Sequence, residues 1–188
     1  MYSFFGLVEE NEPVAITFEE VGKAAGHVCP TVAGAYLVAK RALKELYGDE
    51  LPIRGNVKVT IFGAADLMVN GPIAQVFNHI LGSAPITGFA GLGGKYRRRN
   101  LLTFKEDTVN PGVFEFERVD TRKKVRVAYN PEFITPREQF GDISYLLNAA
   151  LSEGSSKTER NAFATAWLTR VFDILDNPEK VLVVEEIK

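Results

Sequence analysis

Two histidines and a single cysteine are the strongest metal-ligating side chains of this sequence, and His27 and Cys29 fall together in Gly26-His27-Val28-Cys29-Pro30. Imidazole nitrogen and thiolate sulfur both suit zinc and related transition metals. In an extended or turn segment, residues two apart can face the same ion. His79, Asp66 or water could complete such a set. Pro30 has a fixed φ and no N–H to waste, so it suits the first turn of a helix and puts Cys29 at the cap. Unpaired N–H groups and the positive end of the helix dipole at that position favour a thiolate, which makes Cys29 the expected main ligand. A second reading keeps Cys29 as a buried, inert thiol beside a histidine that caps a turn. A third takes Cys29-Pro30 as the short element of heme-responsive proteins, with thiolate on iron and His27 or His79 opposite.

The other chemistry-bearing stretch is a glycine-rich loop, residues 82–94, that runs into Lys95-Tyr96-Arg97-Arg98-Arg99. Its spacing matches neither a dinucleotide fingerprint nor a phosphate-binding P-loop. Lys95 and Arg97, with Arg98 and Arg99 beside them, are nevertheless candidates to bind the carboxylate or phosphate of a cofactor. Four cations in five residues repel one another, so the run is expected at a cleft or dimer interface, with Glu115, Glu117 or a bound ligand offsetting the charge. The alternative is a solvated strand edge. No ordered Ser/His/Asp set or nucleophile elbow accompanies these residues.

These side chains must be positioned by elements that the pattern predicts. Thr17-x-x-Glu20 has capping-box spacing before a short helix that Gly26 ends. The helix opened by Pro30 carries Val32, Ala35, Ala39, Leu43 and Leu46 on one stripe and stops at Gly48. Gly34 within it costs about 1 kcal/mol relative to alanine, which points either to close approach by backbone or ligand, or to helix packing. Val57, Val59 and Ile61 alternate with polar residues as a strand does. Asn70-Gly71-Pro72 opens a third helix with Ile73, Val76, Phe77 and Ile80 inward, Gln75 and His79 on the other side, and Gly82 at its end. His79 at that C-terminal end suits the dipole as well as it suits a metal.

Strands are expected at 101–104, 113–119, 124–129 and 181–184, the middle two forming a hairpin in which Glu115 and Glu117 oppose Arg126 and Lys124. Helices are expected at 137–152 and after Ser155 or Ser156, the latter with Phe163, Trp167, Val171 and Ile174 in line. Residues 1–14 read as an arm or edge strand. The sum is an α+β chain with a mixed sheet flanked by helices, one domain over 1–188.

With 188 residues, 46% of them hydrophobic and 24% charged, the chain is long enough for one sizeable core. A net charge of -2 argues against broad nucleic-acid binding, and a single cysteine excludes an internal disulfide and an all-cysteine zinc site. The amino-terminal residues lack the charged and apolar regions of a secretory signal, and no run approaches a membrane span, so a cytoplasmic protein without membrane contact is expected. Thirteen phenylalanines, with an aromatic amino-terminal arm, point to a homodimer.

Taken in order, Gly26-His27-Val28-Cys29-Pro30, Val57 to Phe62, Asn70-Gly71-Pro72-Ile73-Ala74-Gln75, Gly82, Gly94-Lys95 and Asn100-Leu101-Leu102 resemble the E-type component family of formylmethanofuran dehydrogenase. The resemblance covers about residues 15–130, with the helices and strand of 137–188 beyond it. It implies a thioredoxin-like core, a metal-binding cleft around His27 and Cys29, dimerisation, and service to a redox system beside a molybdenum or tungsten oxidoreductase in anaerobic metabolism. Ala25 stands where members often carry a further histidine, and the cysteine-rich zinc finger that ends some relatives has no counterpart here. A heme-binding module and a non-catalytic assembly protein are the competing functions.

Overall fold

A computed structural model describes the chain except residues 1, 2, 4, 5, 11, 107, 108, 135–139 and 188, and the side chains of 140–142. Helix α1 (Phe18–Ala25) begins at Thr17, whose hydroxyl accepts from Glu20 N while the Glu20 carboxylate accepts from Thr17 N, and ends at Gly26 in the left-handed region, φ 75°. Helix α2 (Pro30–Tyr47) follows shortly after, and its buried stripe includes Val32, Ala35, Ala39 and Leu46. Strand β1 (Val57–Phe62) leads to α3 (Asn70–Leu81), which Gly82 terminates at φ 70°. Strands β2 (Leu102–Lys105), β3 (Val113–Arg118) and β4 (Lys124–Tyr129) come next, and then α4 (Phe140–Leu151), α5 (Lys157–Asp176), α6 (Pro178–Val181) and β5 (Leu182–Ile187). The described part of residues 1–14 contains turns and no strand.

The five strands form one mixed sheet in the order β2-β1-β3-β4-β5. β1 and β2 are parallel, joined across α3 as a βαβ unit must be, and the remaining pairs are antiparallel. Helices plus this sheet make the chain α+β. One face of the sheet presents Val59, Ile61, Phe114, Phe116, Val125 and Val127 to the helices, all buried. Phe77 of α3 meets Phe114 and Phe116 edge-on at 5.2 and 5.4 Å, contacts worth about 0.5–1.5 kcal/mol each beyond burial.

The opposite face of the sheet carries charge. Glu115 lies opposite Arg126 and Glu117 opposite Lys124, the register the alternation of charge predicts. Arg126 also reaches Glu185 of β5 at 2.9 Å, and Glu117 pairs with Arg122 at 2.7 Å and Lys58 at 3.7 Å. These acids are therefore engaged within the sheet. They do not offset the basic run at 95–99, because the strand pleat turns them towards their cross-strand neighbours.

Helix α5 starts at Ser156, where a second capping box with Glu159 satisfies the first turn, and buries Val171 and Ile174 against α2. One continuous apolar core takes side chains from α1 through to β5. Among the described residues, no helix is long and apolar enough to cross a membrane.

Candidate functional site

Gly26 reverses the chain after α1, and the next residues point in opposite directions. His27 is exposed, and its Nδ1 lies 3.1 Å from the carbonyl oxygen of Ala25. In the tautomer with the proton on Nδ1, that nitrogen donates to the carbonyl and leaves the Nε2 lone pair outward. Metal-binding imidazoles are commonly oriented by this kind of contact.

Cys29 turns inward. Its backbone is extended (φ -153°, ψ 169°), and Sγ accepts from Val32 N at 3.4 Å as the N-cap of α2. Trp167 Nε1 of α5 donates to the carbonyl of Val28 at 2.8 Å, and the Tyr129 hydroxyl donates to that of Pro30 at 2.8 Å. The carbonyls of both residues flanking the cysteine are thus tied to the core. Burial pushes the Tyr129 phenol well above its ordinary value, with the Arg170 charge opposing and Cys29 reinforcing the rise. Cys29 therefore sits at a covered junction of α2, β4 and α5. The cap bond draws the Cys29 thiol inward, and the Ala25 contact engages His27 Nδ1 on the exposed side.

His79 shares a cleft with His27. Both line a cleft of about 630 Å³ where α1 packs beside α3, together with Gln75, Asn78 and Arg54. Arg54 fixes one wall by donating to the carbonyls of His79 (2.8 Å from Nη2) and Asn78 (3.3 Å), groups near the end of α3 where helical partners run out. Gly55 N donates to Leu81 O at 2.6 Å and secures the same junction. Near the rim, Thr17 holds the Glu20 carboxyl below its ordinary value through its N–H and its hydroxyl, with a smaller pull from His79. Among the described residues, no three of the histidine, cysteine, aspartate and glutamate side chains converge to hold a metal ion, so His27, Cys29 and His79 do not form a three-ligand centre. Two imidazoles on one cleft can supply two positions of a tetrahedral ion, leaving others to water or an incoming ligand.

The basic run builds a second cleft. Leu92 and Lys95 exchange backbone hydrogen bonds at 2.8 Å around Gly93-Gly94, which leaves Lys95 exposed at the base of a tight turn. Arg97, Arg98 and Arg99 line a cleft of about 690 Å³ with Arg54, Lys58 and Asn56; Lys95 is not among its lining residues. Of the four cations expected to share an anion site, this cleft gathers the three arginines. The residue order marks Arg97 to Arg99 as a basic run but gives no sign of Arg54. The one local signal is Gly55, whose positive φ of 86° accompanies the approach of the Arg98 guanidinium.

No family model matches the chain, and no curated protein matches it.

Proposed function

We propose that this protein binds a transition metal ion of the zinc class, or a metal-containing cofactor, in the cleft between α1 and α3. His27 and His79 are the protein ligands. The observation that carries this reading is the convergence of the chain's two histidines, from distant segments, on one cavity. The Ala25 contact of His27 supports it by turning Nε2 outward. Gln75 lines the same cleft and its amide oxygen is a further donor. Cys29 has the role of a structural cap, in place of the main-ligand role its type suggested. The heme alternative needs that thiolate in the open, and Cys29 is buried and lines neither of the two clefts described, so the geometry lends heme no support.

The redox setting, a thioredoxin-like core, and partnership with a molybdenum or tungsten oxidoreductase rest on the resemblance to the E-type component of formylmethanofuran dehydrogenase. A cytoplasmic location and a homodimer belong to the same proposal. Exposed apolar residues on the carboxy-terminal helices, Tyr145, Leu151 and Phe172, support self-association, with a second copy as the occupant of that face.

Metal analysis of anaerobically purified protein, followed by cobalt(II) titration read from its visible spectrum, tests the site. Cobalt is expected to bind saturably, with His27→Ala and His79→Ala each weakening it by roughly tenfold or more, as loss of a ligand would. Cys29→Ser should bind as the parent does. Equal binding by both histidine variants would overturn the assignment, and a protein that takes up no metal would favour the non-catalytic assembly role.

A further inference from the structure

The arginine-lined cleft shares Arg54 with the histidine cleft and otherwise has its own construction. Arg98 is half-buried, and its guanidinium packs against Gly55 and Gly82, which belong to different segments and both adopt positive φ, 86° and 70°. At Gly55 a Cβ would overlap the guanidinium, and at Gly82 it would come within 2.9 Å of Nη1. The absence of a side chain at both positions is what lets Arg98 lie there. Tyr96 (φ 60°) and Asn100 (φ 61°), two non-glycine residues in the left-handed region, bracket the three arginines. Such a conformation is uncommon for tyrosine and costs of order 1 kcal/mol, so the surrounding contacts must enforce it.

Those contacts are specific. Arg98 N and Arg99 N both donate to Phe89 O (2.9 and 3.1 Å), Ala84 N donates to Arg98 O (3.1 Å), and Asn100 N donates to Pro85 O (3.1 Å). The loop is cross-braced on both sides of the arginines, which fixes the backbone from which they project.

Two of the cleft's arginines, Arg97 and Arg99, carry charge that the described carboxylates do not offset. The cleft's one carboxylate, Asp120, is held by Arg118 at 2.9 and 3.0 Å and also accepts from Thr121 N. Lys58 lies 3.7 Å from Glu117. Arg97 and Arg99 are exposed and have no acidic partner among the described residues, and the Arg54 bonds go to neutral carbonyls. Guanidinium groups gathered this way repel one another, and a multiply charged anion would offset that repulsion with paired N–H···O bonds. The volume falls within the range of small-molecule sites.

We propose that the cleft formed by Arg54, Arg97, Arg98 and Arg99 is a binding site for a small molecule bearing a multiply charged oxyanion, a phosphate ester, diphosphate or polycarboxylate. Arg97 and Arg99 clamp the anion, and Arg98, seated on the two glycines, forms the back of the site.

Isothermal titration with pyrophosphate and, separately, citrate tests this and distinguishes phosphate from carboxylate chemistry. Saturable one-site binding of at least one anion is expected, with affinity falling as salt rises. The Arg97→Ala/Arg99→Ala variant should lose roughly tenfold or more in affinity. Arg97→Lys/Arg99→Lys keeps the charge but removes the planar fork, and should also bind several-fold more weakly. Gly55→Ala, checked for folding by circular dichroism, keeps every charge yet displaces Arg98, and should weaken binding likewise. Absence of saturable binding by either anion, or affinities unchanged in the alanine pair, would overturn the proposal. Full affinity in the lysine pair would reduce the site to diffuse electrostatics and overturn it too, as would tighter binding of an RNA oligonucleotide with no small-anion competition. His27→Ala is expected to leave anion binding intact, so failure of the metal site and failure of the anion site are separable.

Discussion

The ring of Tyr129 on β4 lies against Gly34 of α2 so closely that a methyl group at that position would overlap it, while the Tyr129 hydroxyl donates to Pro30 O at 2.8 Å. The glycine thus makes room for a side chain of the core. That contact couples the hairpin to the first turns of α2 and therefore to the segment carrying His27 and Cys29.

Gly34→Ala is accordingly expected to destabilise. Alanine improves helix propensity by about 1 kcal/mol, but forcing the tethered ring aside costs about 1–3 kcal/mol. Urea denaturation should give a net loss in the parent and a gain when Tyr129 is also alanine, because only the propensity then remains. A gain in both backgrounds would refute the contact.

Cys29 should behave as a cap. Cys29→Ser keeps an acceptor for Val32 N and is expected to match the parent in stability, whereas Cys29→Ala leaves that N–H unsatisfied and loses about 0.5–2 kcal/mol. Neither change should alter cobalt affinity. A loss of metal by Cys29→Ser at unchanged stability would return the thiol to the ligand set.

Asp120 carries an acid-labile part of the stability. Arg118, with help from Thr121 N and Asn56, holds its carboxyl down at about 2, against an ordinary 3.8. Because the folded value is the lower one, the contribution is fully present above 3.8 and is lost as pH falls through about 2. Denaturation midpoints of Asp120→Asn should therefore converge with those of the parent across that window. Parallel curves over the same pH range would remove the pair from the causes of acid sensitivity.

Trp167 is the only tryptophan, and its indole is bonded to the carbonyl of Val28, the residue that directly follows His27. A quenching metal such as copper(II) bound at His27 should therefore lower its fluorescence, in the parent and in Cys29→Ser but not in His27→Ala. Equal quenching in all three would place the metal elsewhere.

The local architecture was legible in the residue order alone. Both capping boxes, the Pro30 entrance to α2, the glycine stops at 26, 48 and 82, and the charge-paired register of the hairpin follow from contacts within a few residues or between adjacent strands. The partners that set these features are near in the chain, so their side-chain types reveal them. The facing of His27 and Cys29 is different. Its local part is the Ala25 contact of His27 and the cap bond of Cys29; the rest comes from Trp167 and Tyr129, far along the chain, which tie the carbonyls of Val28 and Pro30, and no spacing rule encodes that. Gly34 was legible as a place of close approach, but which group approaches was decided by the docking of β4 on α2.

The same holds for both clefts. His79 was recognisable as a candidate, yet its sharing of a cleft with His27 arises from the packing of α1 beside α3. The arginine cleft needs the turn at 53–55 brought against the end of α3 and the loop that follows it. Arg54 and Arg98 gained their positions there through carbonyls and glycines from separate segments, whereas Lys95, equally basic and near in sequence, was carried outward by the Leu92–Lys95 turn. Side-chain direction at a surface loop is set by backbone dihedrals and distant neighbours, and these exist only once the chain has folded.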